Sequence, residues 1–141
     1  MIIGFTGTQQ GLTVTQRDML VYTLTTLKGL GATELHHGDC VGADAEAHKI
    51  ARELGYRIVV HPPTNSNRVA GCDGDERLPP KPYLERNHDI GDICNILVGC
   101  SATHDEVLRS GTWATIRYAK KVKKQVLIIY PNGTVTSHVS K

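Results

Sequence analysis

Residues 33–60 read TELHHGDCVGADAEAHKIARELGYRIVV and hold one complete strand–helix–strand unit. Thr33-Glu34-Leu35-His36-His37 reads as a strand. From Ala43 a helix places Ala43, Ala47, Ile50, Ala51 and Leu54 on one face and closes at Gly55. Arg57-Ile58-Val59-Val60 is the next strand. Two strands linked through a helix in this way pair in parallel, with the helix packed on the sheet.

The alternation continues in both directions. Upstream, Ile2-Ile3-Gly4-Phe5 is a buried strand ending in Thr6-Gly7. Thr13-Val14-Thr15-Gln16 then has capping-box spacing ahead of Leu20, Leu24 and Leu27, with Gly29 and Gly31 as the stop. Downstream, His61 to Pro82 is irregular and holds five of the six prolines with the acidic Asp73, Asp75 and Glu76. Tyr83 to Asp92 is helical, Cys94 to Val98 a strand, Thr112 to Val122 a helix, and Gln125 to Tyr130 the most apolar strand. Asn132-Gly133 turns the chain into a short edge segment near Thr134–His138. The expected fold class is α/β: a three-layer sandwich with helices on both faces of a mostly parallel sheet of at least five strands. Residues 1–141 are expected to form one domain, with 61–82 as a long loop over the ligand face.

Composition narrows the function classes. With 141 residues, 40% hydrophobic and 21% charged, the chain is neither disordered nor fibrous. No run approaches the ~18 apolar residues of a membrane span, so no membrane partner is expected. The first residues lack a basic n-region and a cleavage site, which makes the cytoplasm the expected compartment. Cys40, Cys72, Cys94 and Cys100 form no Cys-x-x-Cys pair and read as free buried thiols rather than a zinc site, so no metal is expected. Charge is uneven: residues 1–106 carry 9 Lys and Arg against 14 Asp and Glu, whereas residues 107–141 carry 7 and none. The basic third suits an anionic ligand or nucleic acid, but Lys120, Lys121, Lys123 and Lys124 also suit the solvated C-terminal end of a helix.

In such folds ligands bind outside the carboxyl ends of the strands, near the switch in strand order. Three strand-to-helix junctions there are rich in small residues: Gly4 to Gly11, His37 to Asp44, and Arg109-Ser110-Gly111-Thr112. Glycines let backbone N–H groups approach an anion, the helix N-terminus adds positive potential, and Thr6, Thr8, Ser110 and Thr112 supply hydroxyls. Neither Gly-x-Gly-x-x-Gly nor Gly-x-x-x-x-Gly-Lys-[Ser/Thr] occurs, which disfavours standard NAD binding and P-loop chemistry. The candidate ligand-binding residues are Thr6, Gly7, Thr8, Gly38, Asp39, Gly42, Asp44, His61, Arg86, Ser110, Gly111 and Thr112.

Several of these side chains have a plain structural alternative. Asp44 and His48, at i and i+4, either face a ligand, or pair with each other or cap the junction. Arg86 is either a bidentate phosphate donor or a surface partner of Glu85 or Asp89. Trp113 reads as core packing ahead of base stacking. His61-Pro62-Pro63 either lines a base or ribose pocket or is a rigid loop exit. Asp73, Asp75 and Glu76 lack the ligand count of a calcium loop and read as a solvated loop.

Gly38-Asp39-Cys40-Val41-Gly42-Ala43-Asp44-Ala45-Glu46-Ala47-His48 resembles the Ser-Gly-x-Ala-x-Gly-Ile-Asp-x-x-Ala-His signature of Smf/DprA-type Rossmann domains. Arg86-Asn87 before a strand, and Ser110-Gly111-Thr112 with Thr115 before the strand Val126 to Pro131, are similar to further segments of that family. The resemblance spans about residues 2–133 and places the chain in the wider SLOG superfamily, with its DprA domains, LOG-type (lysine-decarboxylase-like) phosphoribohydrolases and stand-alone binding modules. It implies a Rossmann-like fold, a nucleotide or nucleotide-derived phosphorylated ligand, and a homo-oligomer. LOG-type enzymes carry Pro-Gly-Gly-x-Gly-Thr-x-x-Glu with a catalytic glutamate, whereas here Arg109-Ser110-Gly111-Thr112-Trp113-Ala114-Thr115 has no acid. The expectation is therefore binding without turnover, no catalytic residue, no required cofactor, and a nucleotide as ligand. Two alternatives stand beside it. One is an N-glycosidase acting on nucleoside monophosphates, with Arg86 and an acid such as Asp39 or Glu106. The other is DprA-type single-stranded DNA binding, for which Phe5 and Trp113 are the only non-tyrosine aromatics.

Overall fold

A computed structural model describes residues 1–139, the side chain of Ser66 excepted. The elements run β1 (Ile2–Gly7), α1 (Val14–Gly29), β2 (Glu34–His37), α2 (Ala43–Glu53), β3 (Arg57–Val60), β4 (Glu76–Arg77), α3 (Tyr83–Ile93), β5 (Ile96–Cys100), α4 (Gly111–Lys121), β6 (Gln125–Ile129) and β7 (Val135–His138). They build one sheet in the order β4-β3-β2-β1-β5-β6-β7, parallel throughout except for β7, which returns antiparallel along β6. This is the expected three-layer, Rossmann-like α/β sandwich.

Each face has its own core. Leu20, Leu24 and Leu27 of α1 and Ala43, Ala47, Ile50 and Ala51 of α2 pack on Ile3, Phe5, Leu35, Ile58, Val60 and Val98. Ile90 of α3 and Trp113, Ile116 and Ala119 of α4 pack on Leu97, Val126 and Ile128 on the other face. Alternate residues of β1, β5 and β6 thus feed opposite cores, which is why these strands read as nearly continuous apolar runs. No helix of the described residues is long and apolar enough to cross a membrane.

The chain moves outward from β1 through β2 and β3 to β4, then crosses back to place β5 beside β1. The order reverses between β1 and β5, so a crevice opens there at the carboxyl ends of both strands. The capping box forms as expected: Thr13 Oγ1 accepts from Gln16 N–H at 3.1 Å, and Gln16 Oε1 from Thr13 N–H at 3.3 Å. Gln16 is also buried, and its Nε2 donates to the carbonyls of Ser101 (2.9 Å) and Ile129 (2.8 Å), tying the start of α1 to the ends of β5 and β6.

Two element assignments need correction. The fifth strand is Ile96–Cys100, not Cys94–Val98. Cys94 caps α3, and Asn95 brackets the strand start by accepting from Ile2 N–H (2.7 Å) and donating its own N–H to the Ile2 carbonyl (2.8 Å). The stretch 61–82 is not wholly irregular: it contains one 3-10 turn (Ser66–Arg68) and the short β4, paired in parallel with β3. Asp75 makes that pairing possible, because its carboxylate accepts from Ile58 N–H at 2.7 Å and pairs with Arg52 at 2.9 Å. Glu76 pairs with Arg57 at 3.1 Å, so the acidic trio is largely committed to holding the loop on the sheet.

Candidate functional site

A cavity of about 680 Å³ opens at the β1/β5 crevice. Thr6, Gly7 and Thr8 from the first junction, Gly38 and Asp44 from the second, Ser110, Gly111 and Thr112 from the third, and Arg86 from α3 all line it. Three of the expected residues do not. Asp39 is fully buried, with a left-handed φ of 58°; its Oδ1 accepts from Cys72 N–H at 2.8 Å and Arg77 approaches its Oδ2 at 2.8 Å, away from the cavity. Gly42 has φ 87° and lies so close to the first junction that a Cβ would sit 2.4 Å from the Gln9 carbonyl oxygen. His61 faces a second, smaller cavity.

The mouth of α4 is the most open backbone in this site. Ser110 is the N-cap, and its hydroxyl accepts from Trp113 N–H at 3.3 Å. The N–H groups of Gly111 and Thr112, at the first two helical positions, have no intrahelical acceptor. A Cβ on Gly111 would meet nothing within 4 Å. Arg109 lies beside them on the cavity wall and makes no hydrogen bond or ion pair with any described residue. Trp113 is buried in the core beneath, its Nε1 donating to Thr103 Oγ1 at 3.2 Å, so packing is its main role.

Arg86 is not the surface ion-pair partner that one reading of it expected. It is only 4% exposed and forms no ion pair with Glu85 or Asp89; Lys81 takes Asp89 instead, at 2.7 Å. Its Nη1 donates to the carbonyls of Gly38 and His61, its Nε to Asn87 Oδ1 at 2.8 Å, and its Nη2 to Cys40 Sγ at 3.7 Å. The guanidinium also lies over the Tyr83 ring, 5.0 Å from its centre. A buried cation with no carboxylate in ion-pair range leaves positive potential in the wall of the cavity, which ordinarily requires a counter-charge.

Asp44 does not pair with His48. Its Oδ2 accepts from Cys40 N–H at 3.1 Å, capping the 38–42 turn, while Oδ1 has no hydrogen-bond partner. Burial pushes its carboxyl up to about 6, against the pull of the Cys40 N–H and of Arg86. His48 instead meets His37, Nδ1 to Nε2 at 2.9 Å.

His37, His48 and Cys72 are the one group of metal-ligating side chains drawn together among the described residues. The hydrogen bonding does not suit an ion. His37 Nδ1 already accepts from Asp39 N–H at 2.9 Å, so the neutral ring carries its hydrogen on Nε2, the atom that would have to ligate. Burial pushes His37 down to about 3, keeping the ring neutral, and pushes the Cys72 thiol up to about 12. Cys40, Cys94 and Cys100 are also raised by burial, so none of the four thiols is a ready nucleophile at neutral pH; Cys72 is half-buried, more open than expected.

No protein-family model and no curated protein sequence matches the chain. Solved structures do. The chain shares its fold with molybdenum cofactor carriers. The molybdenum cofactor binding protein from the phototrophic bacterium Rippkaea orientalis superposes with a TM-score of 0.68 at 22% identity, covering 92% of this chain and 76% of that one. The molybdenum cofactor carrier protein from Chlamydomonas reinhardtii gives 0.65 at 24%, with 90% and 74% covered. A structural genomics target, TM1055, gives 0.63 at 16%, with 89% and 71% covered.

Sequence reasoning missed several residues of the wall, among them Arg68, Tyr83, Thr103 and Val107. Arg68, whose Nη1 donates to Gln9 Oε1 at 2.6 Å, is brought in from the 61–82 stretch by tertiary packing that no local motif signals.

Proposed function

We propose that the protein binds a nucleotide or nucleotide-derived phosphorylated small molecule in the 680 Å³ cavity and does not turn it over. The observation that carries this reading is the open α4 N-terminus in the wall of the same cavity as Arg86, which is buried and has no carboxylate in ion-pair range. The free N–H groups of Gly111 and Thr112, the Thr112 hydroxyl and Arg109 hold the phosphate; the first junction and Tyr83 line the space for sugar and base. The SLOG resemblance points the same way, and the fold neighbours named as molybdenum cofactor binders make that cofactor the specific ligand to test beside common nucleotides.

The placement of the acids supports the reading without turnover. Asp39 points away from the cavity, and Glu106 is paired with Arg117 at 2.7 Å and does not line it. Asp44 is the one carboxyl in the wall, and it caps the backbone. Calorimetry with AMP, GMP and molybdenum cofactor should detect saturable binding that weakens at least tenfold in Arg109→Ala, with no repeated release of ribose 5-phosphate from the nucleotides. No binding of any of the three defeats the proposal. Multiple turnovers that vanish in Arg86→Ala convert the protein into an N-glycosidase.

A further inference from the structure

A second cavity, of about 280 Å³, lies where residues 61–62 and 78–81 meet α3; Arg86 is the wall it shares with the main cavity. Leading into it is a chain of hydrogen bonds that the ligand reading does not use. Glu34 Oε2 lies 2.8 Å from His36 Nε2, and His36 Nδ1 lies 2.7 Å from His61 Nε2. Both rings are 5% exposed. Arg57, 2.6 Å from Glu34 Oε1, holds that carboxylate in place as an acceptor.

The order of the chain fixes its hydrogens. A carboxylate accepts only, so His36 Nε2 carries a hydrogen. With the ring pair uncharged, His36 Nδ1 then accepts, His61 Nε2 donates, and His61 Nδ1 is left with a bare lone pair. No described residue donates to that nitrogen, and it is not among the fully enclosed unpartnered atoms. His61 is one of the residues that line the second cavity. Burial, followed by the neighbouring His36 ring, pushes His61 down to about 4, so it is an acceptor at neutral pH.

The other walls choose the ligand. Pro62, Leu78 and Pro79 are apolar, Lys81 and Asp89 neutralise each other at 2.7 Å, and Arg86 is committed to backbone carbonyls. An apolar cavity of about 150 Å³ holds benzene, so this one has room for a single substituted ring. We propose that the second cavity is a binding site for a small uncharged ring compound whose one O–H or N–H donates to His61 Nδ1, oriented by Glu34 through His36.

Nitrogen-15 NMR of the histidine rings tests this with phenol as the probe and anisole, which lacks the donor, as its control. His61 is expected to be protonated on Nε2 and bare on Nδ1, and phenol should shift the Nδ1 resonance saturably while anisole does not. Leu78→Trp, which fills the cavity while leaving both histidines and Glu34 in the chain, should abolish the shift and keep the histidine hydrogens where they are. Gly111→Asp, in the main cavity, should leave the phenol titration unchanged, which separates this site from the phosphate site. A hydrogen on His61 Nδ1, an equal response to anisole, no saturable shift, or wild-type behaviour of Leu78→Trp overturns the proposal.

Discussion

Two helix N-termini sit at the same end of the sheet, one entered through Gly42 and the other opening on Gly111, and they do opposite things. At α2 the junction closes on the protein itself: Ala43 N–H donates to the Thr8 carbonyl at 3.0 Å, one Asp44 oxygen caps the turn, and the Gly38 carbonyl is held by Arg86. At α4 Ser110 caps only the Trp113 N–H, the N–H groups of Gly111 and Thr112 have no intrahelical acceptor, and Gly111 faces open space. Glycine is present at α2 because backbones touch there, and at α4 it leaves room for something else to touch. A small-residue junction is therefore not a site until its donors are shown to lack partners.

The sharpest way to break the contrast is at α2. Gly42→Ala puts a Cβ 2.4 Å from the Gln9 carbonyl in a left-handed conformation, and it should lower unfolding free energy by roughly 2–4 kcal/mol in urea titration. A loss below about 0.5 kcal/mol would mean that the two junctions are not in contact in solution.

Asp44 sharpens the comparison through pH. Its folded carboxyl titrates about 6, above the ordinary 3.8, so the folded state holds a proton that the unfolded chain has released. Stability from this group is therefore fully present below about pH 4 and falls as pH rises to about 6, by about 3 kcal/mol at most. Asp44→Asn should flatten this part of the stability-versus-pH curve. A wild-type curve already flat from pH 4 to 6 would show that the carboxyl titrates normally.

At α4 the expected effect is on binding. Gly111→Asp should reduce affinity for whichever of AMP, GMP or molybdenum cofactor binds by at least tenfold, about 1.4 kcal/mol, and change stability by no more than about 0.5 kcal/mol. The carboxylate suits the helix dipole while occupying the anion's place. Wild-type affinity in this variant would move the phosphate site elsewhere.

The smallest change belongs to the far end of α4. Lys124 is not simply a solvated cation, because its Nζ donates to the carbonyls of Asp92 (2.9 Å) and Cys94 (2.8 Å) at the close of α3. Lys124→Ala should cost about 1 kcal/mol of stability and leave ligand affinity unaltered. An affinity loss larger than that of Gly111→Asp would make the basic helix end the binding surface.

Residues that act through local spacing were legible in the chain. The Thr13–Gln16 capping box, the α2 apolar face and the strand Arg57–Val60 formed where periodicity put them. The Ser110-Gly111-Thr112 helix start could be placed on the rim for the same reason, since strand and helix ends alone determine its location. Side-chain partners were not legible. Helical spacing offers Asp44 either His48 or the junction, and the 38–42 turn decides for the junction by presenting the Cys40 N–H. The sequence leaves Arg86 open between a phosphate donor and a surface partner of Glu85 or Asp89, yet α3 turns it inward onto the carbonyls of Gly38 and His61, just past β2 and β3 and 48 and 25 residues away. Pairing across such separations is decided by packing, which has no local signature.

The β4 border has a consequence for life in a crowded solution. A parallel sheet's last strand normally offers a row of vacant backbone groups on which another chain's strand can grow. Here that border is only Glu76 and Arg77, both charged and exposed, with three prolines at 79, 80 and 82 following and unable to donate. A foreign strand would find two residues of template and then none, so this flank of the sheet is guarded against fibril-like growth.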